Sequence, residues 1–357
     1  MNTSLINQAN LRNGKIAYSA RNVTLESTAL LLHGDDVIPN SGDIVLARVT
    51  KIGQQNELEL ANGRRSVLFV DDEIIACYGD CHAPDQYDAQ VPTDLESCDL
   101  VAAGGIASLI NHRHVHAKPS TTLQPIGLLA DSHQRRINLK DSALPKVVSL
   151  FSRPYTVAVV GTSMHADKTT VAANMIRGLT NAGYTVGAAK ITGTASGSDT
   201  WLMIDAGAQI ALDMIDAGFP STYLASPEQV EGIVETLMTH LCVARVDAIV
   251  IDVGDSLFQR ETAALLDSKI FTKTVDGIIL AATDAMSAVS GVETLVSKKL
   301  PIIALGGHLI DSPLAAMETV SAIGLPLLDR AALGSSGIVN TLQIPLQENI
   351  HHIQAAG

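Results

Sequence analysis

Lys168, Thr169 and Thr170 close a Gly-initiated loop, GTSMHADKTT over 161–170, which follows the apolar run Thr156–Val160 and opens a helical segment. A strand, loop and helix of this kind turn backbone N–H groups and the positive end of a helix dipole toward an anion, while a Lys and a hydroxyl complete the site. Gly161, Thr162, Ser163, Met164, His165, Ala166, Asp167, Lys168, Thr169 and Thr170 are therefore expected to line a phosphate cradle. One residue breaks the pattern. Asp167 stands immediately before the Lys, where Gly is usual because it brings neither a Cβ nor a charge against the phosphate. Like charges about 4 Å apart repel by roughly 4 kcal/mol at an effective dielectric near 20. An Asp just before a helix is also a good N-cap, so the expectation is that Asp167 fills the anion site with its own carboxylate. A side chain turned outward, or a protonated His165, would soften that clash.

The elements that must position this loop change character near residue 150. Residues 43–75 alternate apolar and polar positions around Asn62-Gly63, a hairpin signal, and residues 100–144 continue as short apolar pieces with one short helix. The reading is a mainly-β, barrel-like domain over 1–150, with 142–155 as a connector carrying two prolines. From 151 to 357 strands and helices alternate. Strands are expected at 156–161, 185–191, 221–224, 247–252, 276–282, 301–305 and 325–328, and helices at 168–182, through 199–217, and at 227–243, 260–268, 287–297 and 312–323. Near-continuous apolar strands followed by amphipathic helices imply an α/β domain whose parallel sheet is covered on both faces. Ligands in such sheets sit at the carboxyl ends of the strands, where 161–170 falls.

The interval from Gly161 to Lys168 is seven residues, one longer than in the generic phosphate-binding loop. That longer form, with a following GY-x-V-x-x-x-K strand, resembles the dethiobiotin-synthetase branch of P-loop proteins: GTSMHADKT at 161–169 stands for the loop and AAKITGTASGSD at 188–199 for the second motif. The similarity is closer to a bacterial group of P-loop proteins that includes D-glutamate N-acetyltransferases, whose third motif IDVGDSLFQRET at 251–262 resembles. The resemblance covers roughly residues 155–330. It implies a P-loop NTPase-like fold in which Lys168 neutralises phosphate oxygens and Thr169 ligates Mg²⁺. It further implies that Asp252 holds the metal's water shell, that Asp199 is a second acid or a helix cap, and that Lys190 is a substrate-side cation. Lys168, Lys190 and Asp252 are thus the catalytic candidates, and Thr169, Asp199 and Asp252 the metal ligands. Proteins of this branch commonly pair as homodimers.

Three functional readings follow. The first is an enzyme that uses ATP and Mg²⁺ to activate or phosphorylate a small amino or carboxylic acid. Its rivals are a CoA-dependent N-acyltransferase, and a degenerate scaffold that binds a protein partner without catalysis. A net charge of −13 over 357 residues, with no long Lys/Arg cluster, argues against nucleic acid or a membrane surface as partner. No run reaches eighteen apolar residues and the N-terminus lacks a signal-peptide layout, so the cytoplasm is the expected location. Cys77, Cys81, Cys98 and Cys242 are then expected as reduced thiols. His112, His114 and His116 alternate; on a strand they would project from one face at metal-ligand range, and otherwise they mark a polar edge. Arg260, Asp284 and His308 fall at ligand-side strand ends and are further candidates.

Overall fold

The computed structural model describes residues 2–6, 14–25 and 28–344. In the first half, Ile44–Lys51, Glu73–Tyr78, Ile106–Arg113, Cys98–Ala102 and Thr121–Ala130 pair in succession, and the last pairs back to the first. Five strands therefore close a ring. Alternate residues, among them Val45, Ala47, Ile74, Ala76, Leu100, Ala107 and Leu128, fill its interior, while the intervening Ile44, Leu46, Ile75 and Ile106 face outward. The expected hairpin is present as Glu57–Glu59 against Arg65–Val67, with Asn62 Oδ1 accepting from Arg64 N at 3.1 Å. The short helix expected within 100–144 is a 3-10 turn, Leu139–Ser142.

The second half is a six-stranded, all-parallel sheet built from Tyr155–Gly161, Val186–Thr192, Ile210–Asp213, Ala248–Val253, Gly277–Ala281 and Ile302–Gly306. In space the third strand is followed by the second, fourth, first, fifth and sixth. The strand feeding the loop is thus central, with the Asp252 strand directly beside it. One face buries Ala158, Ile251 and Leu280 under helices Pro227–Val243 and Arg260–Asp267; the other buries Val157, Val159 and Val250 under helix Lys168–Asn181. This is the expected α/β fold.

Some expectations need correction. The helical stretch drawn through 199–217 ends at Asp205, and Ile210–Asp213 forms the edge strand instead. Apolar residues through Leu202–Met214 keep helical spacing, but Gly207, at φ +114, ends the helix. Residues 221–224 form no strand and carry one isolated bridge, Ser221 to Thr194; the strand expected at 325–328 is reduced to a bridge between Leu327 and Leu305. Short helices Lys269–Thr274, Arg330–Gly334 and Ile338–Leu342 were not anticipated.

The two halves share a core. Ala195 and Ile215 pack with Tyr18, Leu46 and Ile106 on the outer face of the ring. A polar cluster fastens the same seam. Arg21 Nη2 donates to Asp213 Oδ1 and Asp216 Oδ2, both at 2.8 Å, and Tyr18 OH lies 2.8 Å from Asp213 Oδ2. Gly104 comes so close to the Ala195 carbonyl that a Cβ would lie 2.2 Å from it. No described helix is long and apolar enough to cross a membrane.

Candidate functional site

The loop wraps around Lys168. A Cβ at Gly161 would fall 2.6 Å from Lys168 Cδ, so the glycine is what lets the aliphatic stem lie along the strand end. Lys168 Nζ donates to Ser163 O at 2.8 Å and Met164 O at 3.4 Å. The amides of Ser163, Met164, His165 and Asp167 make no hydrogen bond among the described residues, and the hydroxyls of Thr162 and Ser163 are buried without partners. Buried polar groups left open in this way are unusual, and together with the start of helix Lys168–Asn181 they are the donor set that an anion nest requires. Burial lowers the Lys168 pKa, with Asp252 and Asp255 opposing. An anion in the nest would favour the charged ammonium further.

Asp167 departs from the cap expected of it. Its backbone is left-handed, φ +69, and its side chain accepts no cap hydrogen bond. This is the conformation for which glycine is ordinarily required, and Asp is among the few side chains that tolerate it. The carboxylate meets Arg330 Nη2 at 3.2 Å. His165 also leaves the loop: its Nε2 lies 3.6 Å from Asp85 Oδ2 in the first half.

Strand register supplies the rest of the site. Lys190 pairs with Asp252, and Asp252 with Val159, two residues before Gly161. Thr169 Oγ1 donates to Asp252 Oδ2 at 2.8 Å, while Asp252 Oδ1 is buried with no partner among the described residues. Burial raises the Asp252 pKa against the pull of Lys190. Lys190 forms an ion pair with Asp199; burial would lower its pKa, but Asp199 and Asp252 outweigh burial and raise it. Asp255 adopts φ +62 after the Asp252 strand, and burial raises its pKa too.

A cavity of about 410 Å³ joins these residues to the first half. Lys168, Thr169, Lys190, Asp199, Asp252 and Asp255 line it from the sheet, and Gln55, Glu59, Cys81, His82 and Gln86 from the barrel half. Spacing alone did not single out Gln55, Glu59 or Gln86. Asp255 was within reach, because it sits in the IDVGDSL segment.

The other candidates have local roles. Arg260 Nε donates to Glu261 Oε1 at 2.8 Å, Asp284 caps its helix by accepting from Ser287 N at 2.9 Å, and His308 pairs with Asp311. His112 lies 3.0 Å from Asp88 on an exposed strand end, and His114 and His116 follow in a turn. Among the described residues no group of three or more His, Cys, Asp or Glu side chains could hold a metal ion. The four cysteines are free and buried.

The strand order and the loop geometry define a P-loop α/β protein. No family model matches the chain, and no curated protein matches it. Among solved structures it is similar to the signal recognition particle 54 kDa protein from Aeropyrum pernix K1, in complex with GDP, at 16% identity over 54% of this chain and 46% of that one, TM-score 0.38. A DUF1611 family protein from Anabaena variabilis shows 14% identity over 56% of this chain and 62% of that one, TM-score 0.39. The cell division protein FtsY from Thermotoga maritima shows 15% identity over 55% and 71%, TM-score 0.36. The chain spans less than two thirds of the first two, and at these identities the likeness concerns the fold alone.

Proposed function

We propose that this chain is an ATP- and Mg²⁺-dependent enzyme of the dethiobiotin-synthetase-like branch that activates or phosphorylates a small amino or carboxylic acid. The observation that carries the reading is the single cavity shared by the nest residues Lys168 and Thr169, the acid Asp252, and side chains of the barrel half. The donor set suits the ligands. Open amides and hydroxyls at 162–167 complement phosphate oxygens, and the Thr169 hydroxyl with the unpartnered Asp252 oxygen offers the hard oxygen ligands that Mg²⁺ takes beside waters and phosphate. That Mg²⁺ needs few protein ligands fits the lack of a three-ligand cluster among the described residues.

Bound there, ATP with Mg²⁺ would supply the transferable phosphoryl group. Lys168, which now donates to the Ser163 and Met164 carbonyls, would hold phosphate oxygens and the charge that develops on them. Lys190, fixed by Asp199, presents an ammonium to an anionic group of the substrate.

The test is thermal unfolding with millimolar ATP·Mg²⁺, with ATP plus chelator, and with acetyl-CoA. Ligand that binds only the native state raises the transition by mass action, by about 2.7 kcal/mol at a hundredfold excess over Kd. ATP·Mg²⁺ should stabilise the protein, and Thr169→Ala should remove the Mg²⁺-dependent part. A shift with acetyl-CoA alone would transfer the site to acyl transfer. Silence from both ligands would leave the cradle without either, and the scaffold reading would prevail.

A further inference from the structure

Helix Gly197–Asp205 starts without the cap that its own sequence provides. Ser196-Gly197-Ser198-Asp199 is a capping-box sequence, in which the hydroxyl at the first position accepts from the amide three residues on and the acid there reaches back to the first amide. Elsewhere the chain closes such boxes. Ser226 N donates to Gln229 Oε1 at 2.8 Å and Gln229 N to Ser226 Oγ at 3.3 Å, and Asn138 N donates to Asp141 Oδ2 at 3.0 Å. At Ser196 neither bond forms: its side chain caps nothing and lies 2.9 Å from Ser198 Oγ, and its backbone N makes no hydrogen bond among the described residues. Asp199, the residue that would close the box, turns instead to Lys190.

The barrel half supplies what the box leaves out. Glu59 ends the hairpin strand Glu57–Glu59, and its buried carboxylate accepts from Gly197 N at 2.6 Å through Oε2 and from Arg65 Nη2 at 2.9 Å through Oε1. An anion here serves both the open amide and the helix dipole. A second carboxylate brought to the same turn would meet like charge at close range. Two other barrel contacts hold the helix against the hairpin: Tyr18 OH lies 2.7 Å from Thr200 Oγ1, and the Gly63 turn runs so near Trp201 that a Cβ would fall 2.9 Å from Cε2. Glu59, Ser196, Asp199 and Lys190 all line the cavity between the halves.

We infer that Glu59 is a positioning residue for Lys190: as the anion at the start of helix Gly197–Asp205 it keeps Asp199 out of its own capping box, which leaves Asp199 to hold the Lys190 ammonium toward the cavity. The action passes from the barrel hairpin to the helix cap, from the cap to Asp199, and from Asp199 to a lysine of the parallel sheet. Burial alone would drive the proton from Lys190, but Asp199 outweighs it and keeps the ammonium. Without Glu59 the open Ser196 and Gly197 amides draw Asp199 back, and Lys190 loses its ion-pair partner. That Lys190 faces an anionic group of a substrate rests on the proposed function; the hold of Glu59 on Lys190 does not.

The test is titration of Lys190 in the full chain, without ligand, by the ¹³Cε resonance of labelled lysine, assigned by its loss in Lys190→Arg. In the parent the midpoint should lie above the ordinary lysine value of about 10.4. Asp199→Asn should lower it by about one pH unit or more, and Glu59→Ala by a similar amount. Glu59→Gln, which keeps an acceptor for Gly197 N but no charge, should lower it by less. The double variant Glu59→Ala/Asp199→Asn should titrate with Asp199→Asn alone, because Glu59 acts through that carboxylate. A merely structural Glu59 would lower the urea midpoint of Glu59→Ala and leave Lys190 where it was. An unmoved Lys190 in Glu59→Ala, or shifts that add in the double variant, would overturn the inference; should Glu59→Ala not fold, an unmoved Lys190 in Glu59→Gln overturns it. The titration needs no nucleotide, so its failure leaves the proposed function standing, and a chain that ignores ATP·Mg²⁺ leaves this result standing.

Discussion

Replacing Asp167 by Gly tests whether the loop's odd residue blocks or merely borders the phosphate site. A carboxylate about 6–8 Å from a phosphate, without compensation, would cost about 2–3 kcal/mol at an effective dielectric near 20, roughly a fortyfold to hundredfold loss in affinity. Arg330, 3.2 Å from that carboxylate, places an opposite charge nearer than any phosphate, although at 63% exposure its guanidinium is screened by water. Asp167→Gly is therefore expected to change the ATP·Mg²⁺ affinity by no more than about threefold, while relieving a left-handed backbone by about 1 kcal/mol. Arg330→Ala exposes the uncompensated charge and should weaken binding by roughly tenfold. The double variant should recover the parent affinity, because removing the carboxylate removes the need for its partner. Isothermal titration of the four proteins completes the cycle. A gain of tenfold or more in Asp167→Gly alone would show that the carboxylate does reach the nest. A loss in Arg330→Ala that persists in the double variant would show that Arg330 itself touches nucleotide; either result refutes the shielding argument.

Arg21→Ala should cost about 3–5 kcal/mol in urea unfolding, since it strands Asp213 and Asp216 at a buried seam, whereas Arg21→Lys should cost less; a loss under about 1 kcal/mol would count against the seam as a unit. Asp252→Asn should raise stability at neutral pH in the absence of ligand while abolishing the Mg²⁺-dependent response to ATP. Burial raises the Asp252 pKa, so between the unfolded value near 3.9 and the folded one the native state binds more protons and stability falls as pH rises. The Asn variant lacks that loss, and its advantage over the parent should vanish below about pH 3.9, where both forms are neutral. An Asn variant less stable than the parent at neutral pH would reverse the sign assigned to burial.

The loop, the central parallel strands and the hairpin at Asn62-Gly63 were legible because each is written in contiguous residues: a β-branched apolar run, a glycine, a Lys-Thr pair, an Asn-Gly turn. The fate of Asp167 was not. It depends on a backbone torsion and on Arg330, 163 residues further on, and neither leaves a local mark. The edge strand Ile210–Asp213 was masked by helix-like spacing, since an edge strand pairs on one side only and carries fewer compositional demands. The barrel ring was readable as several short strands with tight turns, but its closure requires Cys98–Ala102 to pair with strands on both sides. Gln55 was invisible because nothing in a lone Gln announces that the barrel half will set it against the sheet's cavity.

The helix that begins at Gly197 decides how the cavity is divided. Helix N-termini attract anions through free amides and the dipole, so this one, beside the Lys190–Asp199 pair, would be a second place for a phosphate. Glu59 forecloses that use: its Oε2 accepts from Gly197 N at 2.6 Å, while Oε1 is held by Arg65 at 2.9 Å. The barrel half thus supplies the helix with its own anion. With that helix start already satisfied, the unbonded loop amides of 161–170 are the place the proposed function gives to phosphate.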